Sequence, residues 1–256
     1  MCERYRVWVL LGLVGLHGGC GEPIVPRGPE QLYGLAREQI RNQNYVRALD
    51  TLARIARESP DSPYAVKATL TRLVLLAGLA RSSLALGQVY LGAREKAQAA
   101  DYRSELRLIA LDHFAVGQSW ALRLAEGLDP WPPVLAAKPW VIDPVLPLTP
   151  AAEHPALGHL REGQRVASPE RAAIERNAIR RGLSEMMAAL AGAPGDFGRA
   201  YERVARENAP VEPTVVYLAF GNELVSLSAL FGKEALDNPR YLRLFHERAL
   251  ALAERG

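Results

Sequence analysis

The chain has 256 residues, 49% of them hydrophobic and 23% charged, a composition that supports one or two packed cores and excludes wholesale disorder. Its formal charge is +3, and setting aside Arg4, Arg6 and Glu3 in the first twenty residues leaves 29 basic groups against 27 acidic ones. So even a balance gives nucleic-acid binding no support.

The N-terminus reads as a targeting segment. Arg4 and Arg6 precede Val7–Leu16, an apolar run of ten residues, too short to cross a hydrocarbon core of ~30 Å as a helix. His17-Gly18-Gly19-Cys20 follows, small residues leading into a cysteine. This arrangement resembles the lipobox of bacterial lipoproteins, with His17 standing where that family usually carries Leu; the other reading of the same residues is ordinary secretory cleavage. The resemblance implies lipidation at Cys20 and a durable membrane anchor, since acyl chains contribute ~0.8 kcal/mol per buried CH₂. Gly21, where Asp would favour retention in the inner membrane, implies by the same resemblance an outer-membrane, periplasm-facing address; the alternative is a soluble periplasmic protein. Cys2 lies in the signal (residues 1–20), so the mature chain has no cysteine pair to join. Residues 21–29, with three prolines, form a short stiff tether.

A helix is predicted from Pro29-Glu30, burying Leu32, Leu35, Ala36 and Ile40, and a second over Tyr45–Glu58, burying Ala48, Leu52 and Ile55. Ala36 and Ala48 are twelve residues apart, where two antiparallel helices approach closely, and Pro60 comes twelve further on, where the second helix ends. Between them, in Arg41-Asn42-Gln43-Asn44, an Asn is expected to take the left-handed turn conformation. This spacing resembles a tetratricopeptide (TPR) repeat. Over Leu32–Ala68, including Pro60-Asp61-Ser62-Pro63-Tyr64-Ala65, it resembles the TPR lipoproteins of the outer-membrane β-barrel assembly machinery. The resemblance implies a protein-binding helical surface, to which Arg41, Asn44 and Tyr45 would contribute.

A shift of 34 residues lands on Leu70, Ser82 and Arg94, so the signature does not recur and no long array is expected. Val66–Lys96 predicts one long helix, most apolar over Leu73–Ala80. Lys67, Arg72 and Arg81 interrupt it as a membrane span, because a charge at the middle of an inserting helix costs ~2.5–3.5 kcal/mol. Its expected place is the centre of a bundle, with Asp61 or Ser62 as its cap. Ala97–Gly127 should form a helix pairing back along it through Leu106, Ile109, Ala110, His113, Val116, Gly117, Trp120 and Leu124. Residues 128–155 form a proline-rich linker whose Trp131, Trp140 and Ile142 lie along the helical surface. Further on, Ser168-Pro169-Glu170 opens a helix to Leu190, Asp196 caps Phe197–Glu207, Pro213-Thr214 opens Val215–Phe231 and Asn238-Pro239 starts the last helix. No strand is required. The fold class is all-α, a TPR-like hairpin followed by a multi-helix bundle, with a helical domain over 30–127 and another over 156–256. The whole layout, including the segment Leu230–Pro239, also resembles helical lipoproteins of Gram-negative bacteria, which implies an address and a fold and no particular activity.

Chemical motifs are sparse. His113, His154, His159 and His246 lack any paired-ligand spacing, and neither a nucleophile motif nor a phosphate-cradling loop occurs, so no metal, cofactor or enzymatic activity is expected. Arg171, Arg176, Arg180 and Arg181 interleave with Glu170, Glu175 and Glu185 as a solvated, ion-paired face from which Arg180 and Arg181 can reach an anionic glycan or a partner helix. Asn222 and Glu223 interrupt an otherwise apolar helix. Burying them demands partners such as Tyr217 or an arginine from another helix, either as a structural hydrogen bond or as a ligand contact. The combined expectation is a non-catalytic envelope lipoprotein, held to the membrane by a lipid anchor and acting as a protein-interaction scaffold for envelope partners; the alternative is a periplasmic small-molecule or lipid-binding auxiliary of a transport system.

The anchor has a direct test. Labelled palmitate is expected to enter the wild-type chain and not Cys20→Ser, which should leave the membrane-anchored pool. Equal labelling of both would remove the lipoprotein reading.

Overall fold

Helix boundaries follow the apolar spacing and the prolines in a computed structural model that describes residues 28–136, 140–141, 146, 152–204, 210–231 and 239–255. The signal segment, Cys20 and Ile142 lie outside the described residues. Helices α1 (Pro29–Arg41) and α2 (Tyr45–Glu58) form the expected hairpin, and Ala36 and Ala48 are both 0% exposed. The left-handed residue of the turn is Gln43, at φ 60°, rather than either Asn. Register decides this: Asn42 caps α1, so the position one past the cap falls on Gln43, whose N–H bonds Ile40 O at 3.0 Å.

Helix α3 (Pro63–Lys96) starts with Ser62, whose Oγ accepts from Tyr64 N–H at 3.2 Å. Helix α4 (Ala100–Leu128) returns along it. A 3₁₀ turn (Pro133–Ala136), α5 (Ala156–Arg161), α6 (Ser168–Leu190), α7 (Phe197–Val204), α8 (Pro213–Phe231) and α9 (Pro239–Ala253) complete the helical body. Two expectations need correction, and one helix is an addition. First, strands occur: β1 (Trp140–Val141) pairs antiparallel with β2 (Pro210–Val211), Trp140 opposite Val211. Next, α6 begins at Ser168 itself, capped from downstream, because the Glu170 carboxylate accepts the Ala167 N–H at 3.1 Å. Finally, α5, six residues long, was not legible as a helix at all.

Helix α3 holds the body together. Its run Leu73–Ala80 is buried without a gap, so neighbours must cover every side, and α2, α4, α6 and α8 do so. One contiguous apolar cluster reaches from Leu32 in α1 to Leu252 in α9. Both α3 and α8 are long and apolar enough to cross a membrane, but 72% of the α3 window is buried inside the protein. Within the described part of the proline-rich linker the two tryptophans are packed down as expected: Trp140 is 1% exposed, donates Nε1–H to Leu135 O at 2.9 Å, and meets Trp131 and the α8 residue Tyr217 at 5.6 Å between ring centroids.

Helices α3 and α6 approach closely. A Cβ added to Gly182 would sit 2.6 Å from Gly78 O, and one added to Gly78 would sit 2.6 Å from Leu183 Cδ2. Backbone therefore lies against backbone there, and overpacking such a contact costs ~1–3 kcal/mol. Gly182→Ala is expected to lower unfolding free energy by about that amount, whereas Gly34→Ala, in open space on α1, should raise it by ~0.5–1 kcal/mol through helix propensity. Chemical denaturation of the two variants checks the contrast.

Candidate functional site: a charged cleft between three helices

The same close approach assembles the site. On α3, Arg81 lies three residues beyond Gly78, and on α6, Glu185 lies three beyond Gly182, so each charge shares a face with the glycine that lets the helices touch. Helix α8 brings Glu223 against Arg81 from the other side. Arg81 Nε donates to Glu223 Oε1 and Oε2 at 3.0 and 3.1 Å, Nη2 also donates to Oε2, and Nη1 donates to Glu185 Oε2 at 3.2 Å. Glu223 is 4% exposed, while the Arg81 and Glu185 side chains are 32% and 33% exposed. The buried partner that the sequence demanded for Glu223 is thus an arginine, and Tyr217 belongs to the aromatic cluster instead.

From Glu185 the charges continue outward. Arg181 Nε donates to Glu185 Oε1 at 3.2 Å and Arg181 Nη1 to Glu153 Oε1 at 3.1 Å; Arg161 Nη1 donates to Glu153 Oε2 at 3.0 Å. Glu223, Arg81, Glu185, Arg181, Glu153 and Arg161 therefore alternate in sign along one chain, from the interior of α8 to the surface at α5. The outer end borders a smaller cavity of about 110 Å³ lined by Leu86, Val89, Leu157 and Ile174.

The inner end opens into a cleft of about 650 Å³, within the ~300–1,000 Å³ range of small-molecule sites. Arg81, Glu185 and Glu223 form its charged floor. Met186, Ala189, Phe197, Val215, Leu218 and Ala219 supply an apolar wall, and Asn222 and Ser226 stand on the rim. Asn222 is exposed rather than buried, correcting the expectation that it would need a buried partner beside Glu223: successive helix positions point about 100° apart, and only Glu223 faces α3. The loop between α6 and α7 borders the cleft with Gly192 and Gly195 at φ 66° and 79°, and Arg203 Nη1 donates to Ala191 O at 2.6 Å to hold it.

Electrostatics set the floor's character. Burial pushes the Glu223 carboxyl above the usual carboxylate range, with Arg81 pulling it back. Burial works against the Arg81 charge, but Glu223 and Glu185 together hold its guanidinium above its ordinary value, firmly protonated. Two hydrogen bonds from Arg161 hold the Glu153 carboxyl below the usual range at the exposed end.

The other sequence-predicted residues fall elsewhere. Arg41 and Asn44 are exposed at the hairpin turn. Half-buried Tyr45 lies near Arg180: burial raises the phenol above its usual range and the Arg180 charge lowers it. Arg181 belongs to the charge chain, whereas its neighbour Arg180 faces the hairpin. Among the histidines, His113 stacks on buried Tyr90 at 5.2 Å and faces Glu175 at 3.6 Å, His246 Nε2 meets Ser228 Oγ at 3.0 Å, and His154 Nδ1 accepts the Ala156 N–H at 3.3 Å. Sequence reasoning missed Glu153 and Arg161, and read Arg81 only as an interruption of an apolar run.

No family model, curated protein or solved structure matches the chain.

Removing one member of the buried pair leaves the other uncompensated, at a cost of ~3–5 kcal/mol, whereas replacing both with apolar groups is often neutral. Arg81→Met is therefore expected to destabilise the fold by that amount, and Arg81→Met/Glu223→Leu to recover most of it. In the single variant the lone Glu223 has a folded-state pKa above its unfolded value, so the folded state holds the extra proton. The deficit is then smallest below the unfolded carboxylate value and grows as pH rises between the two values. Denaturation at about pH 5 and about pH 8 reads the trend.

Proposed function

We propose that the chain is a lipid-anchored binding protein of the cell envelope that takes a small amphipathic molecule in the cleft between α3, α6 and α8. One observation supports this above the others: a buried ion pair forms the floor of an accessible apolar-walled cleft of about 650 Å³. The reading is of binding rather than catalysis, because Arg81 engages both oxygens of Glu223 and leaves that carboxylate neither free to take a proton nor directed at a substrate. Leu73–Ala80 are packed solid and do not line the opening, which begins one residue later, at Arg81. The anchor is the lipidation of Cys20, and the outer membrane its proposed address.

A second reading, an interaction scaffold for an envelope protein, is favoured by the exposed side of the hairpin, where Val46 is 56% exposed beside Tyr45, a residue within reach of the Arg180 charge. Arg41 and Asn44 extend that surface at the turn, and the TPR-like hairpin is the element that would present it.

Two variants separate the readings. Leu218 is 47% exposed on the cleft wall, so Leu218→Asp should fold and still spoil an apolar site. An extract of envelope lipids and metabolites is expected to raise the Tm of the wild type and of Tyr45→Ala/Arg180→Glu, but not of Leu218→Asp. If all three respond alike, the cleft reading fails. If crosslinking in cells captures a specific protein that is lost only from Tyr45→Ala/Arg180→Glu, the scaffold reading takes its place.

A further inference from the structure

Helix α4 leaves one long side open. Its buried residues Leu106, Ala110, Phe114, Gly117, Ala121 and Leu124 face the body, chiefly α3. At about 100° per residue, the opposite side is a strip whose midline passes within about 20° of Leu108, Ala115, Ser119 and Glu126, all exposed. Leu108 is 58% exposed, Leu111 40% and Val116 46%, three of the seven large apolar side chains left open among the described residues. Such a concentration on one helix marks a contact surface more than scattered exposure does.

Charges on this strip are unmatched as well. At the start of α4, Asp101 pairs with Arg165 and Glu105 with Arg171. Further along, Arg107, Asp112 and Glu126 form no ion pair among the described residues, and Arg123 lies 5.0 Å over the Trp120 ring rather than on a carboxylate. Positive charge is in excess at that end: burial, then the Arg123 charge, work against the Arg72 guanidinium, and Asp50 offsets them only in part.

We infer that this face of α4 docks on the same face of a second copy, the two helices running antiparallel about a two-fold axis level with Gly117. Symmetry then sets Leu111 against Leu122 of the second copy, Ala115 against Ser119, Asp112 against Arg123 and Arg107 against Glu126, each pairing occurring twice. Flanks match too. In an antiparallel pair like flanks meet, and the helix turn puts Asp112 and Arg123 on one flank and Leu111 and Leu122 on the other. Small Ala115 and Ser119 at the centre let the axes come close. Charge selects this register: parallel pairing sets Asp112 on Asp112 and Arg123 on Arg123, and sliding the helices by one turn brings Asp112 level with Glu126. The strip offers about a dozen residues a side, fewer than the ~20–30 of a standard interface, so the dimer is weak and concentration-dependent.

The test uses the full chain, purified in mild detergent, in a Cys2→Ser/Cys20→Ser background that has no thiol of its own. Val116→Cys adds one near the two-fold axis, and Val46→Cys adds one on α2 as the control. A short bismaleimide is expected to join the first into dimers and leave the second monomeric at equal concentration. Asp112→Arg should weaken association, read by sedimentation, by about three- to thirtyfold, because symmetry counts each exposed pair twice. Arg123→Asp should act likewise, and Asp112→Arg/Arg123→Asp should restore the dimer. Residues eleven apart on one helix do not meet, so this rescue arises only between copies. The dimer is overturned if the double change fails to restore association, if the single changes leave it unaltered, or if both cysteines crosslink equally. Monomer alone up to ~1 mM would overturn it too.

Discussion

A helix buried on nearly every face must be enclosed, and α3 imposes that requirement on the rest of the chain. Its 34 residues include an unbroken buried run, Leu73–Ala80, which no single partner helix can cover. The hairpin α1–α2 covers one side, α4 another, and α6 and α8 close the remainder. Enclosure is close at Gly78 and Gly182, where the absence of side chains lets two backbones meet. Within a turn of this contact α3 changes character and presents Arg81. The site thus lies where the dry packing of the central helix ends.

That position explains the floor's asymmetry. Glu223 comes from the interior side and pays the desolvation cost of burial, offset by the geometry of a guanidinium that reaches both of its oxygens. Glu185 approaches from the solvent side and shares its charge with Arg181 and, through it, with Glu153 and Arg161. Each exposed contact in the chain contributes little by itself. Arg81 is thus paired inward with a buried carboxylate and outward with a part-exposed one that Arg181 also engages.

Much of the architecture was legible in the amino-acid pattern because it rests on strong periodic signals: the twelve-residue spacing of Ala36, Ala48 and Pro60, the long apolar run, and prolines at the starts of α3, α6, α8 and α9. Elements without a period were not. Strands β1 and β2 are two residues each, and α5 is six, all shorter than the stretch over which alternation or helical recurrence can be counted. The site was half legible. Glu223 stood out as a carboxylate in an apolar helix, and burial demanded an arginine for it. Which arginine could not be read locally, since Arg81 lies 142 residues away and is brought close only by the shared packing of α6 and α8 on α3. Likewise Arg180 and Arg181, adjacent in sequence, face different neighbours because one helix step turns them about 100° apart.

The central claim is that Arg81 holds one strongly and one weakly coupled partner at the base of a ligand cleft. Double-mutant cycles read by chemical denaturation test it most directly. The account predicts that Arg81 and Glu223 couple by about 3 kcal/mol or more, as a buried pair does, and that Arg81 and Glu185 couple by about 1 kcal/mol or less, as an exposed pair does. Equal coupling energies for the two pairs would contradict it.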